Sequence, residues 1–389
     1  MKYTLPLITL FFPLYLLAQN PIALEFEHDG LAREYLLYVP ADYTPGDVLP
    51  LVFNFHGITS SAGEQYIYTG LLGSMNTVAD TGHFFVCYPN GVKIPDDDGF
   101  EWNVGFAFSS TTADDVGFVD RLIDTLHANY GIDQNRVYAT GMSNGGYFAY
   151  RLACELSGRI QAVASVTGTI VPGEETQCRP ERPVPVLQIH GTADPVVRFN
   201  GSQSGLSMDD LIKFWTDNNR CFTSDQDVFN FPNINTVDGS TVSKTTYTNC
   251  QGDNEVVFYR VEGGEHTWPG SSLTELGVTN QDIVASREIW EFFRPYSGPI
   301  VTSTEDIPQA SFALQVQPNP FVDQIQLNTK TEAIQTIIVS DLLGRTVYQN
   351  HSLRTPQHQI PTTDWTPGLY LLRVETVSGA VSVQKIIKS

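Results

Sequence analysis

Ser143, Asp194 and His266 supply the three side-chain types of a nucleophilic relay: hydroxyl, carboxylate and imidazole. A serine hydroxyl is a weak nucleophile alone. It needs an imidazole to take its proton and a carboxylate to hold that imidazole in place. Ser143 is the centre of Gly141-Met142-Ser143-Asn144-Gly145, a G-x-S-x-G pattern. In a chain with 31 glycines the pattern alone is weak, and its context gives it meaning. A strand-like run, "RVYAT", precedes it and a helix-like run, "YFAYRLACELSG", follows it. A tight strand-to-helix turn is what lifts a nucleophile clear of a sheet.

In that architecture the chain order is serine, then acid, then histidine. The eight histidines include four beyond Ser143: His190, His266, His351 and His358. The last two fall in a segment of different character, and His190, at a strand end before the candidate acid, reads as structural. His266, in "VEGGEHTWPG", is therefore the candidate base. Asp194, in "VLQIHGTADPVV", directly follows an apolar strand and is the candidate acid, with an Asp-Pro turn residue as the alternative. Asp209, Asp210 and Asp217 lie on a helical pattern and read as solvated or capping residues. The run "LVFNFHGIT" ends a strand at His56-Gly57. A glycine there lets the chain turn, so that the Ile58 N–H and the Asn144 N–H can form a two-donor oxyanion hole. His56 itself reads as a buried brace for this loop.

The elements that must position these groups are legible between Leu24 and about Tyr296. Strands read at "EYLLYVP", "PLVFNFHG", "FFVCYPNG", "RVYATGMS", "IQAVASVTG", "PVPVLQIHG" and "EVVFYRVEG". Helices read at "DDVGFVDRLIDTLHANYG", "NGGYFAYRLACELSG", "MDDLIKFWTDNN" and "DIVASREIWEFF". Near-continuous apolar strands alternating with helices predict an α/β fold with a mostly parallel, doubly wound sheet. Chemistry in such folds gathers at the carboxyl ends of the strands, which puts Ser143, the His56 loop and the loop after His190 on one edge. Asp115 opens a helical pattern and reads as an N-cap or first-turn carboxylate. From about Phe312 short alternating strands and turns predict a small all-β sandwich without a catalytic constellation.

The formal net charge of −21 argues against a nucleic-acid partner, which would need clustered Lys and Arg. The N-terminal "MKYTLPLITLFFPLYLLAQN" has the shape of a secretory signal peptide, and no other stretch reads as a membrane span. Export makes disulfides expected. Cys221 follows a helical pattern and Cys250 closes a strand-like run, both before His266, and they are read as one pair. Cys154 and Cys178 are read as a second, leaving Cys87 as the odd thiol. No C-x-x-C pair or histidine cluster has ligand spacing, so neither a metal nor another cofactor is expected.

The segments "FHGIT", "WNVG", "DDVGFVDRLID", "GMSNGGYFAYRLACELSGRIQAVASVTG", "RPVPVLQIHGTADPVV" and "EGGEHTWPG" resemble the polyhydroxybutyrate depolymerase/feruloyl esterase family of α/β-hydrolases, close to carbohydrate esterase family 1. The resemblance covers nearly the whole first domain and implies an α/β-hydrolase fold, with Ser143 as nucleophile, Asp194 as acid and His266 as base. Polymer depolymerases of the group usually read His-Gly-Cys at the oxyanion loop, where this chain has Ile58, which favours the feruloyl-esterase-like branch. Trp102, Trp268 and Thr59 are candidates for lining the substrate pocket, the two indoles by stacking on an aromatic acyl group or a sugar, with bracing of a loop as the alternative for each tryptophan. "QPNPF", "VSDLLGRTVYQ", "PGLYLLRV" and "KIIKS" resemble the type A sorting domain of the type IX secretion system. The expected organisation is a signal peptide (1–19), an esterase domain (20–298), a linker (299–311) and a sorting domain (312–389). The expected function is a secreted serine carboxylic-ester hydrolase, releasing hydroxycinnamoyl or acetyl groups from plant polysaccharides. The rivals are an extracellular polyester depolymerase and a non-catalytic binding protein on a hydrolase scaffold. Its partners would be a polysaccharide-linked or polymeric ester and the secretion machinery, with no nucleic acid and no membrane span in the mature form.

Overall fold

Strands that are apolar along their whole length must be covered on both faces, and the first unit is built around five of them. In this computed structural model the chain divides into two compact units, residues 1–299 and 300–389. The structure describes residues 21–298 apart from 225 and 253, and residues 314–388 apart from 331, 342–345 and 379–380. The expected signal peptide and linker lie outside the described residues.

The first unit runs β1 (Ile22–His28), β2 (Leu31–Tyr38), β3 (Leu51–Phe55), α1 (Ala62–Gln65), a π-helical turn (Tyr66–Leu71), α2 (Met75–Gly82), β4 (Phe85–Pro89), the short ribbon β5 (Val92–Lys93) and β6 (Phe100–Glu101), and α3 (Asp115–Tyr130). It continues with β7 (Val137–Met142), α4 (Asn144–Glu155), β8 (Ala162–Val166), β9 (Val186–Gly191), α5 (Met208–Asn218), β10 (Gln226–Asn230), β11 (Thr241–Tyr247), β12 (Val256–Glu262) and α6 (Ala285–Phe293). Ten strands form one sheet in the order β1-β2-β4-β3-β7-β8-β9-β12-β11-β10. The six from β4 to β12 are parallel, and antiparallel strands extend both edges.

Every residue of β3, β4, β7, β8 and β9 is buried. Successive side chains alternate between faces. Leu51, Phe53 and Phe55 join Phe118, Leu122, Phe148, Leu152 and Trp215 from α3, α4 and α5 in one core. Val52 joins Val78, Ile289 and Phe293 from α2 and α6 in the other. Two disulfides, Cys154–Cys178 and Cys221–Cys250, tie α4 to the loop before β9 and the end of α5 to the segment after β11. Cys87 is a buried free thiol in β4.

Two features go beyond the sequence reading. β1 pairs with β2 across an Asp29-Gly30 turn, both residues at positive φ, which is a standard hairpin signal. Residues 62–82 form helical segments although their apolar residues lack a clean 3.6 period and glycines interrupt them.

The second unit is all β, as its period-2 pattern predicts. It comprises β13 (Gln315–Gln317), β14 (Gln324–Asn328), β15 (Ile334–Asp341), β16 (Thr346–Thr355), β17 (Gln357–Pro361), β18 (Gly368–Thr376) and β19 (Val381–Lys388). A three-stranded sheet (β13-β14-β17) and a four-stranded sheet (β16-β15-β18-β19), both antiparallel, share a core that includes Phe321, Ile325, Ile337, Leu372 and Ile386.

Candidate active site

Ser143 stands alone between β7 and α4, with φ 55° and ψ −124°. A non-glycine residue there is strained by about 1–3 kcal/mol and persists only where its surroundings enforce it. The Ser143 N–H donates to the Val166 carbonyl, and its own carbonyl accepts from Tyr147 N. A Cβ on Gly145 would fall onto the Phe55 carbonyl, and one on Gly141 would lie 2.6 Å from the Gly145 carbonyl. The two flanking glycines are thus what lets the turn pack against β3.

Gly57 rests directly on this turn: a Cβ there would lie 3.4 Å from Ser143 Cβ and 3.9 Å from its Oγ. Neither the Ile58 N–H nor the Asn144 N–H has a hydrogen-bond partner among the described residues. Both are therefore free to meet a developing negative charge. Thr59 is exposed, at φ 64°, with its hydroxyl donating to the Ile58 carbonyl at 2.6 Å.

His56 is fully buried before the loop, and burial pushes its imidazole down to about 4 against opposition from the Gly57 carbonyl. It is therefore neutral. Nδ1 donates to the Gly57 carbonyl at 2.7 Å while Nε2 accepts from Gly91 N at 3.0 Å, so the ring is a two-point brace.

The candidate acid and candidate base follow adjacent strands, β9 and β12. Ala193 N donates to the Gly264 carbonyl, and Gly263 N donates to Thr192 Oγ1, stitching the loops after β9 and β12 together. Asp194 Oδ1 accepts from Val196 N and Val197 N at 2.8 and 2.9 Å, which fixes the carboxylate plane. Its Oδ2 lies 2.8 Å from His266 Nδ1. His266 keeps 16% of its side chain exposed, whereas the Asp194 side chain is fully buried. With a proton on Nδ1, His266 presents the lone pair of Nε2, which has no partner among the described residues. No hydrogen bond joins Nε2 to Ser143 Oγ. Such contacts commonly tighten only when substrate binds. Tyr147, one turn beyond Ser143, has its hydroxyl pKa raised mainly by burial and further by the charge of Asp194. His190 is neutral and structural: burial lowers it, Nε2 donates to the Val197 carbonyl, and Nδ1 accepts from Gln188 Nε2.

Trp102 and Trp268 require a correction. Both are 0% exposed, so neither offers a face to a substrate. Trp102 stacks on Phe148 at 4.7 Å and donates its indole N–H to the His56 carbonyl. Trp268 donates its indole N–H to Ser286 Oγ and its backbone N–H to Tyr68 Oη. They brace the loops that carry the site. The accessible aromatic surface is elsewhere. Phe106 packs on Tyr147 with ring centroids 5.0 Å apart, and Phe108, 65% exposed, stacks on Phe106 at 4.7 Å. The sequence signal is "GFAFSS", two phenylalanines in a Gly/Ser loop, of which Phe106 packs against the core and Phe108 stays exposed.

Comparisons with known proteins place the chain among esterases. Residues 104–227 match the phospholipase/carboxylesterase family model, and residues 315–389 match a secretion system C-terminal sorting domain, which marks the chain for the cell surface or extracellular space. The chain is 30% identical over 262 residues to the esterase-family protein NocK of Nocardia uniformis subsp. tsuyamanensis, covering 63% of this chain and 73% of that one. It is also 30% identical over 247 residues to feruloyl esterase B of Piromyces equi, covering 60% of this chain but only 42% of that longer protein. Among solved structures, a CE1 ferulic acid esterase from Anaeromyces mucronatus aligns with a TM-score of 0.43 at 15% identity, over 72% of this chain and 92% of the other. The chain belongs to the esterase family of α/β-hydrolases that includes NocK, and it carries a secretion-system sorting domain over residues 315–389.

Proposed function

We propose that the protein is a secreted serine esterase that releases hydroxycinnamoyl or acetyl groups from plant polysaccharides through an acyl-enzyme. The observation that carries this reading is the 2.8 Å contact of Asp194 with His266 at the strand edge where Ser143 occupies a strained elbow. His266 Nε2 takes the Ser143 proton as Oγ attacks the ester carbonyl. The oxyanion is met by the Ile58 and Asn144 N–H groups. Collapse expels the alcohol, which receives the proton from His266, and water activated by the same nitrogen then releases the acid. Thr59 sits at the rim beside the oxyanion loop. The Tyr147-Phe106-Phe108 ladder supports an aromatic acyl group, because a planar ring can stack on an exposed ring face. The domain reading goes with this: a signal peptide over 1–19, an esterase domain over 20–298, a linker over 299–311 and, over 312–389, a sorting domain for the type IX machinery.

Ser143→Ala should abolish hydrolysis of p-nitrophenyl acetate and methyl ferulate while leaving circular dichroism unchanged; a retained rate sinks the assignment. Phe108→Ala should raise KM for methyl ferulate several-fold and leave p-nitrophenyl acetate untouched. Equal effects on both esters, or clearing of a polyhydroxybutyrate suspension with no ferulate release, would point away from aromatic acyl recognition.

A further inference from the structure

Asp115 is fully buried at the start of α3, and it is not the helix cap: that role belongs to Asp114, whose side chain accepts from Gly117 N. A buried carboxylate must be compensated, and Asp115 is compensated on both oxygens. Oδ1 lies 2.7 Å from Nη2 of Arg33, itself only 2% exposed. Oδ2 accepts the backbone N–H of Asn103 at 2.8 Å. The carbonyl of Asn103 accepts from Arg151 Nη1 at 2.6 Å, so charged groups grip this residue's backbone from both sides.

The preceding residue is where that grip meets the chemistry. Trp102 N donates to Asn144 Oδ1 at 2.8 Å, and Asn144 Nδ2 donates back to the Trp102 carbonyl at 3.2 Å. The side chain of one oxyanion donor is thus clamped at both ends to the Trp102 backbone. The Trp102 indole N–H, in turn, holds the His56 carbonyl at 3.2 Å, two residues before the other donor, Ile58. One tryptophan therefore ties both donor segments, and Asp115 anchors the residue beside it. Catalytic donors stabilise charge only when their geometry is fixed before the reaction begins.

We propose that Asp115 is a positioning residue for the oxyanion hole, acting through the Asn103-Trp102 segment to set the spacing of the Ile58 and Asn144 N–H groups. This rests on the serine-esterase reading above. Its arrangement differs from that of a plain structural ion pair, which would stabilise the fold without touching the transition state.

The test is kcat and KM of Asp115→Ala with p-nitrophenyl acetate, normalised to active sites counted by stoichiometric labelling with an organophosphate. Loosening two donors should cost about 10- to 10²-fold in kcat, less than the 10²–10³ seen when a donor is deleted outright, with KM unchanged. Affinity for a trifluoromethyl ketone, which forms a tetrahedral adduct, should weaken in parallel. If Asp115→Ala fails to fold, Asp115→Asn decides, because it keeps the side chain's size while its NH2 must face one of the two donors, Arg33 or Asn103 N, and it should lower kcat in the same way. Full kcat per titrated site in whichever variant folds, with only the melting temperature lowered, overturns the proposal. Ser143→Ala in the same panel separates the readings. If it stays active, the serine mechanism falls; if it is dead while Asp115→Ala keeps full kcat, only the positioning role falls.

Discussion

Asp194 divides its work between its two oxygens, one accepting two backbone N–H groups and the other facing His266. That division makes Asp194→Asn a sharp test. The amide would keep its oxygen toward Val196 and Val197 and turn its NH2 toward His266, forcing Nδ1 to accept and moving the imidazole proton to Nε2. The base would then point the wrong way. We expect kcat to fall on the order of 10⁴-fold with the fold intact, as when a serine triad loses its acid by the same change. A variant keeping a tenth or more of the activity would remove Asp194 from the relay. At this scale the candidates, and the Asp194–His266 contact among them, were legible because chemistry restricts the residue types and family order restricts their sequence. For Trp102 and Trp268 the loop-bracing reading holds and the substrate-lining one does not, for a physical reason. An indole beside a site is equally suited to stacking on substrate and to filling a loop's interior, and only the packing of Phe148 and Ser286 around them decides.

The β7-turn-α4 unit shows how an element enforces a strained residue. Gly145 lies so close to the Phe55 carbonyl that any Cβ must displace β3 or the helix. Gly145→Ala should therefore cost about 2–4 kcal/mol, lowering the melting temperature by about 5 °C or more, and should also reduce activity by shifting Asn144. An unchanged melting curve would mean that the elbow is not under this constraint. The strands and the long helices α3 to α6 announce themselves through apolar runs and 3.6-residue periodicity. The segments over 62–82 do not: their fold is set by what they cover, since Tyr66, Met75 and Val78 pack into the second core while glycines and threonines blur the pattern.

Across the first unit, two buried imidazoles link stability to pH. His56 and His190 are both neutral at ordinary pH, each lowered chiefly by burial. A histidine depressed in the folded state binds its proton first in the unfolded chain. Stability is therefore full above the unfolded value of 6.5 and is lost as pH falls toward the folded value, which for His56 is about 4. His56→Gln should destabilise the protein at pH 8, and its deficit relative to the parent should narrow by up to about 3 kcal/mol between pH 6.5 and 4. Denaturant melts of both proteins across that range check this. A constant gap would show that His56 does not carry the buried, neutral state described.

The sequence alone determined the fold class, the small β module at the C-terminal end and the shortlist of chemical groups. Those properties are written in local periodicity, turn chemistry and short motifs, each spanning a few consecutive residues. Tertiary structure alone decided which aromatic rings reach solvent and which are walled in. It also decided that a buried carboxylate at the head of α3 grips the backbone next to Asn144's partner. Burial and hydrogen bonding between residues 42 or 82 positions apart depend on how distant segments pack, and no local pattern encodes that packing.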